Sequence, residues 1–252
     1  MKPDPGTPDP GTSESRRDEL ARRLAAVRAR IDAACVAAGR APEDVTLLAV
    51  TKTVPAVDVA LLMELGLTVF GENRVQEAGA KVAEVARTHP GARWHLVGGL
   101  QRNKARAVVR WADRVESVDS VRLADALDSA VRRAQDAGDR FEPLSVLLQF
   151  SVDGDPQRGG IPAEGLRPLA EHVAGCAGLR LDGLMAVAPL GSDTERAFAS
   201  IAAASQRIRT AFPQARTLSA GMSGDLEVAI DHGSDVVRVG TALVGERRIT
   251  SR

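Results

Sequence analysis

Short apolar runs alternate along the chain with longer segments in which apolar residues recur every three to four positions. The short runs are typical of strands buried on both faces, and the longer segments of amphipathic helices. The predicted strands are 45–51, 68–70, 94–98, 114–118, 144–150, 181–187, 217–219 and 236–240. The predicted helices are 55–65, 73–87, 101–111, 120–137, 162–174, 194–211 and 225–232.

This alternation predicts the fold class. Strands separated by helices form parallel sheets, and eight such units in a chain of 252 residues predict a closed (β/α)8 TIM barrel of the α/β class. An open, doubly wound sheet is the alternative, but no GxGxxG motif follows the first strand. One further helix leads the barrel, starting near Ser13 or Ser15 and ending at Gly39. Its apolar stripe consists of Leu20, Leu24, Val27, Ile31 and Cys35.

The first residues differ from the rest of the chain. The pentapeptide Pro-Asp-Pro-Gly-Thr occurs twice in tandem over residues 3–12. Polar sequence so rich in proline and glycine cannot bury a core. We therefore expect residues 1–12 to be a disordered tail and residues 13–252 to be a single domain.

Composition narrows the possible partners and location. Lys and Arg together number 33, as do Asp and Glu, so a net charge of zero favours neither nucleic acid nor a membrane surface. No apolar run approaches the ~18 residues of a membrane span, and no signal peptide is evident. Cys35 and Cys176 form no CxxC motif, which fits a reducing compartment. We expect a cytoplasmic protein, monomeric in solution, without a metal site.

Candidate chemistry begins at the end of the first predicted strand, where the apolar run stops at Lys52. A lysine at the end of a buried strand points into a rim or pocket, where desolvation favours the neutral, nucleophilic amine that forms Schiff bases. Taken alone, the stretch favours a lysine that extends from a strand end into solvent.

A second group of polar residues follows predicted strands seven and eight. Residues 219–225 are small and hydroxyl-rich and lead into a helix, and 238–241 combine an arginine, a glycine and a threonine. Phosphate sites recur at this position in TIM barrels. The serines could instead only cap the helix, and both roles are compatible. We expect Lys52 and this phosphate cradle to face one another across the barrel mouth, which suits pyridoxal 5′-phosphate (PLP).

Six ordered motifs at these strand ends carry a family resemblance. They are LLAVTK at 47–52, FGENRVQE at 70–77, WHLVGGLQRNK at 94–104, GLMAVAP at 183–189, LSAGMSGDLEVAI at 218–230 and VRVGTALVGER at 237–247. With them the chain resembles the pyridoxal phosphate homeostasis proteins (the YggS/PROSC family), which are similar to the barrel domain of alanine racemase. The chain departs from the family at Phe150, Ser151 and Ala220.

The resemblance implies the cofactor and the roles of particular residues. Lys52 would carry PLP as a covalent imine, Arg238 would face the pyridine nitrogen, and Asn73 would line the ring. The phosphate would be held by Ser219, Ser223, Gly240 and Thr241, with Met222 beside them.

Other polar residues carry weaker expectations. His95 is expected to be a packed residue at a strand end, and His89, His172 and His232 to face solvent. Glu72 is either a charge on the wall of the site or a strand-end cap. Residues 101–104 are either a solvated helix start or a contact for a substrate or partner.

Two functions remain open at this stage. The first is a PLP-binding protein of intracellular PLP homeostasis that buffers the cofactor and delivers it to apo forms of PLP-dependent enzymes, without turnover. The alternative is a PLP-dependent amino-acid racemase of low activity. A two-base racemase of the alanine racemase type uses a tyrosine from a second domain as its other base, and this chain contains no tyrosine. We therefore favour the first function.

Overall fold

The structure is a computed structural model. It describes residues 11–52, 54–189 and 191–245, except for the side chains of residues 11–15 and 156. Most of the predicted tail, residues 1–10, lies outside the described residues. The leading helix α1 spans Gly11–Ala37, so it begins two residues before the expected start at Ser13.

The predicted TIM barrel is confirmed. Eight parallel strands close in sequence order, and β1 pairs with β8. They are β1 (Thr46–Val50), β2 (Val69–Glu72), β3 (Arg93–Leu96), β4 (Arg114–Val118), β5 (Leu144–Phe150), β6 (Leu179–Ala186), β7 (Thr217–Ser219) and β8 (Val236–Val239). Because consecutive strands all run in the same direction, their carboxyl ends and the polar residues that follow them meet at one mouth.

Helices surround the strands. They are α2 (Ala56–Glu64), α3 (Val75–Ala86), α4 (Ala105–Val108), α5 (Val121–Asp136), α6 (Ala163–Ala174), α7 (Thr194–Ala211), α8 (Leu226–Asp231) and α9 (Thr241–Val244). The helix predicted over 101–111 is wrong in length, since a 3₁₀ turn at Arg102–Lys104 precedes the single turn of α4. No helix in the described ranges has the length and apolar character needed to span a bilayer.

The leading helix α1 is part of the core. All five residues of its predicted apolar stripe are buried, and they pack with residues of β1, α8 and α9. Polar contacts add to this packing, because Arg30 donates to the Ser223 carbonyl at 2.9 Å and Arg16 to the Val244 carbonyl at 3.0 Å. Helix α1 therefore supports the chain on both sides of strand β8.

One glycine is required where β6 meets β7. Gly183 has φ +151°, and a Cβ built on it would lie 1.9 Å from the carbonyl oxygen of Thr217. Side chains rarely adopt this φ, and no flexible side chain could move aside, because the obstructing atom belongs to the backbone. On its other side, β6 pairs with β5, and the register of this pairing shifts at the same level, between Val146 and Leu147.

We expect Gly183→Ala to lower the free energy of unfolding by about 3 kcal/mol or more, since it forces the two strands apart. Urea unfolding measures the change. The matched control is Gly79→Ala in helix α3, where the added methyl group meets only ordinary contacts, 3.8 Å from Trp111. That control should gain about 0.5–1 kcal/mol. Equal stability of the two variants would contradict the close approach.

Candidate cofactor site at the barrel mouth

A cavity of about 650 Å³ opens at the barrel mouth. Its wall includes seven of the eight predicted site residues: Lys52, Asn73, Met222, Ser223, Arg238, Gly240 and Thr241. Apolar side chains complete it, among them Val50, Val97, Val187 and Val244. A cavity of this volume with few polar groups on an apolar wall is typical of small-molecule sites. The sequence motifs thus converge on one place.

Lys52 lies beside the residues of the predicted phosphate cradle, and the expectation that the two face one another across the mouth is wrong. The closed barrel pairs β1 with β8, with Leu48 opposite Arg238 and Ala49 opposite Val239. Neighbouring strands lie only about 4.8 Å apart, so the chain after β1 adjoins the chain after β8. A Cβ at Gly240 would lie 3.5 Å from Val50, an ordinary contact. Amine and cradle are therefore adjacent.

Lys52 is also more exposed than the sequence indicated. Strand β1 ends at Val50, Thr51 is fully buried, and Lys52 sits exposed in a turn on the wall of the cavity. The burial expected for Lys52 is therefore not found. What distinguishes Lys52 is its position at the mouth, immediately after a fixed residue.

The cradle begins with the loop between β7 and α8, which has little freedom. Gly221 has φ +90°, and a Cβ there would lie 2.4 Å from that of Ala229. The Met222 N–H donates to Asp225 Oδ1 at 2.6 Å, so this N–H faces into the loop. Ser223, Gly224, Gly240 and Thr241 remain on the cavity wall, where hydroxyl and backbone N–H groups suit an oxyanion.

Ser219 is the predicted site residue that the structure places elsewhere. It is fully buried beneath the cavity and is not part of its wall. Its hydroxyl donates to Glu116 Oε2 at 2.6 Å and accepts from an Arg238 amino group at 2.8 Å. With its hydroxyl hydrogen bonded to a carboxylate, Ser219 connects Arg238 to the barrel interior, which differs from the expected role in a phosphate cup.

Arg238 lies at the base of the cavity and is almost fully buried. One amino group donates to the Ser219 carbonyl and the other to the Ala186 carbonyl, both at 2.7 Å. Burial lowers the pKa of Arg238, while the negative charges of Glu116 and Asp225 oppose that effect. The guanidinium is therefore a fixed cation held by strands β6 and β7.

Glu116 is the buried counter-charge, on strand β4. Its second oxygen, Oε1, lies 2.7 Å from Nδ1 of His95, a buried residue of β3. Burial raises the pKa of Glu116, but the hydrogen bonds from His95 and Ser219 and the charges of His95 and Arg238 outweigh it, and the net pKa is lowered. These contacts join residues of β3 and β4 to residues of β7 and β8. Neither β3 nor β4 is adjacent to β7 or β8 in the barrel, so the contacts cross the barrel interior.

Comparisons with known proteins agree with this geometry. The family model described as alanine racemase, N-terminal domain, matches residues 23–248. A Mycobacterium tuberculosis protein named pyridoxal phosphate homeostasis protein is 47% identical, covering 94% of this chain and 96% of the relative. The Escherichia coli protein of the same name is 40% identical, covering 91% of this chain and 97% of the relative.

The chain belongs to the pyridoxal phosphate homeostasis protein family. A solved structure agrees: PipY of Synechococcus elongatus with PLP bound is 36% identical, has a TM-score of 0.75, and is covered over 100% of its length and 90% of this chain. In this member of the pyridoxal phosphate homeostasis protein family, residues of the sequence motifs around Lys52, Ser223 and Thr241 form part of the wall of the mouth cavity.

Three further predictions for this family member concern residues around the cavity. His95 is packed at a strand end, as predicted. Glu72 is buried and hydrogen bonds to Thr51 and Lys81, so it resembles the strand-end cap. Residues 101–104 line two surface depressions, and the one that includes Gln101 and Lys104 shares Asn73 with the cavity wall. Their role stays open.

One cluster of possible metal ligands occurs in the described ranges. Ligand atoms of Asp125 on α5, His172 on α6 and Cys176 just after α6 lie within 4.8 Å of one another. His172 is hydrogen bonded to Asp125 at 2.7 Å, and burial together with the nearby Asp128 and Asp125 raises the pKa of the Cys176 thiol. A neutral thiol is a poor metal ligand, and the cluster is separate from the cavity wall.

Three polar residues near the site, Glu116, Thr51 and Lys81, were not predicted from the sequence to have a role there. Lys81 shares the inward helical face of Ala78 and Val85, and a charge on an otherwise apolar helical stripe is a signal that the sequence does contain. Glu116 lies in a strand that also contains Arg114 and Ser117, so no such pattern marks it.

We expect Glu116→Gln to lower the free energy of unfolding by about 3 kcal/mol at neutral pH, since it breaks a buried charge network. The pKa of Glu116 in the folded state lies below its usual value of ~4.3. The ionised carboxylate therefore contributes its full stabilisation of the folded state above pH ~4.3, and this contribution is lost as the pH falls through the folded-state pKa. The difference from wild type should therefore shrink in acid. Urea unfolding at a series of pH values tests this.

The control for this experiment is Glu195→Gln. Glu195 pairs with His232 at 2.9 Å, but its side chain is 70% exposed. Such surface pairs contribute about 0–1 kcal/mol, so this variant should stay close to wild type. A Glu116→Gln variant as stable as this control would contradict the proposed importance of the network.

Proposed function

We propose that this protein binds PLP in the mouth cavity, holds it through a Schiff base on Lys52, and buffers and delivers it to apo-enzymes. The observation that carries the proposal is the adjacency of Lys52 to the hydroxyl and glycine residues after β7 and β8. The family supports it, since relatives are named pyridoxal phosphate homeostasis proteins and PipY has been solved with PLP bound.

The residues present fit the chemical groups of PLP. The aldehyde and the phosphate-bearing arm of PLP occupy adjacent positions of its pyridine ring. They therefore need an amine and an anion site side by side, as Lys52 and the loops of Ser223 and Thr241 provide. Arg238, at the cavity base, would donate to the pyridine nitrogen, and Asn73 would line the ring. Ser219 would act from beneath, by holding Arg238.

Lys52 would form the covalent link. As a neutral amine, Lys52 would bond to the aldehyde carbon, and its two protons would leave with the carbonyl oxygen as water. Because Lys52 is exposed at the mouth, water would have access to reverse this bond. A reversible bond suits storage and delivery.

The ionisable groups on the wall favour a carrier over a racemase. Among the described residues lining the cavity, only Lys52 and Arg238 have ionisable side chains. Arginine stays protonated in proteins, so it is no second base. Its guanidinium would also keep the pyridine nitrogen unprotonated, which weakens PLP as an electron sink for carbanion chemistry. Cytoplasmic location and monomeric state stay predictions from the sequence.

We expect Ser223→Ala to weaken PLP binding about tenfold or more, because a hydrogen bond to a charged group contributes about 1.5–3 kcal/mol. Binding of pyridoxal, which lacks the phosphate, should change little. Titration with both ligands, followed by absorbance, measures the difference. Ser192→Ala, at an exposed serine outside the cavity wall, is the control. Equal losses for both ligands would place the phosphate elsewhere.

We expect the loaded protein to activate an apo form of a PLP-dependent enzyme faster than its slow spontaneous release of PLP into buffer would allow. The measurement mixes the two proteins and follows recovered enzyme activity, with a PLP-trapping reagent in a parallel sample. Lys52→Ala should retain and deliver less cofactor. The carrier proposal fails if no acceptor is activated while L-amino acids are racemised well above the rate with free PLP.

A further inference from the structure

Thr51, the residue before Lys52, is fixed at every polar atom. Its N–H donates to the Gly71 carbonyl at 2.9 Å, and its hydroxyl donates to Glu72 Oε1 at 2.7 Å. Its carbonyl oxygen accepts from the Lys81 ammonium at 2.7 Å and from the Val54 N–H at 3.2 Å. That carbonyl belongs to the peptide bond joining Thr51 to Lys52. The backbone that carries Lys52 is therefore held directly.

The ammonium of Lys81 completes a compact buried unit. It lies 2.7 Å from Glu72 Oε1 as well as 2.7 Å from the Thr51 carbonyl. Thr51 and Glu72 are at most 1% exposed, and the Lys81 side chain is 12% exposed. In a site shielded from water, charge-assisted hydrogen bonds are short and directional. The three residues join β1, β2 and α3 at one point.

Lys81 is unusual for its position on α3. Val75, Ala78 and Val85 are the buried residues of this helix, and Lys81 follows Ala78 by three and precedes Val85 by four. These spacings place Lys81 on the inward stripe, where an apolar side chain would pack. A buried ion pair is seldom worth more to stability than a well-packed apolar substitute. Its location next to Lys52 points to a different use.

We infer that Lys81, Glu72 and Thr51 form an anchor that positions Lys52 for Schiff-base formation, which makes Lys81 a positioning residue of the cofactor site. The inference rests on the proposed function. Lys52 is exposed on the cavity wall, whereas the residue before it is fixed at its N–H, hydroxyl and carbonyl. The anchor thus limits where a mobile four-carbon side chain starts, which reduces the conformational freedom lost when its amine reacts.

The anchor has a signature that a purely structural contact would lack. The phosphate cradle lies on the other side of Lys52, between the ends of β7 and β8. Loss of the anchor should therefore lower the yield of Schiff base without lowering the affinity of the cradle. The probe for the cradle alone is 4-deoxypyridoxine 5′-phosphate, which has the ring and phosphate of PLP but no aldehyde.

The experiment compares Lys81→Met and Thr51→Val with wild type in the full chain. Lys81→Met removes both charge-assisted bonds, and Thr51→Val removes only the hydroxyl bond to Glu72 in a side chain of the same shape. Each variant should lower the equilibrium constant for Schiff-base formation with PLP, by about tenfold for Lys81→Met and less for Thr51→Val. Affinity for the deoxy analogue should stay within about twofold. Lys81→Arg, which keeps charge and donors, should recover part of the loss.

Arg114→Met is the control, because it also replaces a partly buried cation with methionine, breaking the ion pair with Asp182 at 3.0 Å, and Arg114 is not part of the cavity wall. It should leave both quantities unchanged. The anchor is refuted if Schiff-base formation is unchanged in Lys81→Met and Thr51→Val, or if analogue affinity falls in parallel. If Lys81→Met does not fold, Thr51→Val and Lys81→Arg are compared with wild type in the same way, by the equilibrium constant for Schiff-base formation and by the affinity for the deoxy analogue. Failure of wild type to form a Schiff base at Lys52 would instead refute the proposed function.

Discussion

The pairing of β1 with β8 is the constraint on which the site depends. This one ladder closes the barrel, and it brings the first strand beside the last although almost the whole chain separates them. Lys52 comes from one side of the seam, and Arg238, Gly240 and Thr241 come from the other. An amine next to an anion cradle is therefore a consequence of closure, and an open sheet with the same strands would separate the two groups.

Closure also produces a barrel interior with polar groups that must find partners inside it. Glu116 satisfies this by accepting from Ser219 on one side and contacting His95 on the other, while Ser219 in turn accepts from Arg238. Removal of any member would leave a buried polar group unpaired, which is costly. Helix α1 stabilises the same region from outside through Arg30 and the Ser223 carbonyl. The cavity floor and the cradle are both held before any ligand arrives.

Features that depend on the local pattern of residues could be predicted from the sequence. Alternating apolar runs and helical stripes predicted eight strands in order, and the motifs around Lys52, Ser223 and Thr241 predicted residues that share one cavity. Contacts across the barrel were not predictable in this way, because Ser219 and Glu116 are 103 positions apart and meet only when the barrel closes. The same limit explains why the relative position of lysine and cradle was wrong. The expected burial of Lys52 failed because β1 ends at Val50, one residue before the predicted end at 51, and Lys52 lies in the turn that follows.

The proposed covalent attachment of PLP to Lys52 can be tested by borohydride reduction. The chain contains four lysines, at positions 2, 52, 81 and 104, so a reduced adduct can be assigned without ambiguity by peptide mass mapping. The protein is loaded with PLP, freed of excess ligand, reduced and digested. We expect one pyridoxyl adduct on the peptide containing Lys52, and none in Lys52→Ala. An adduct at Lys104, or an equal yield in the Lys52→Ala variant, would contradict it.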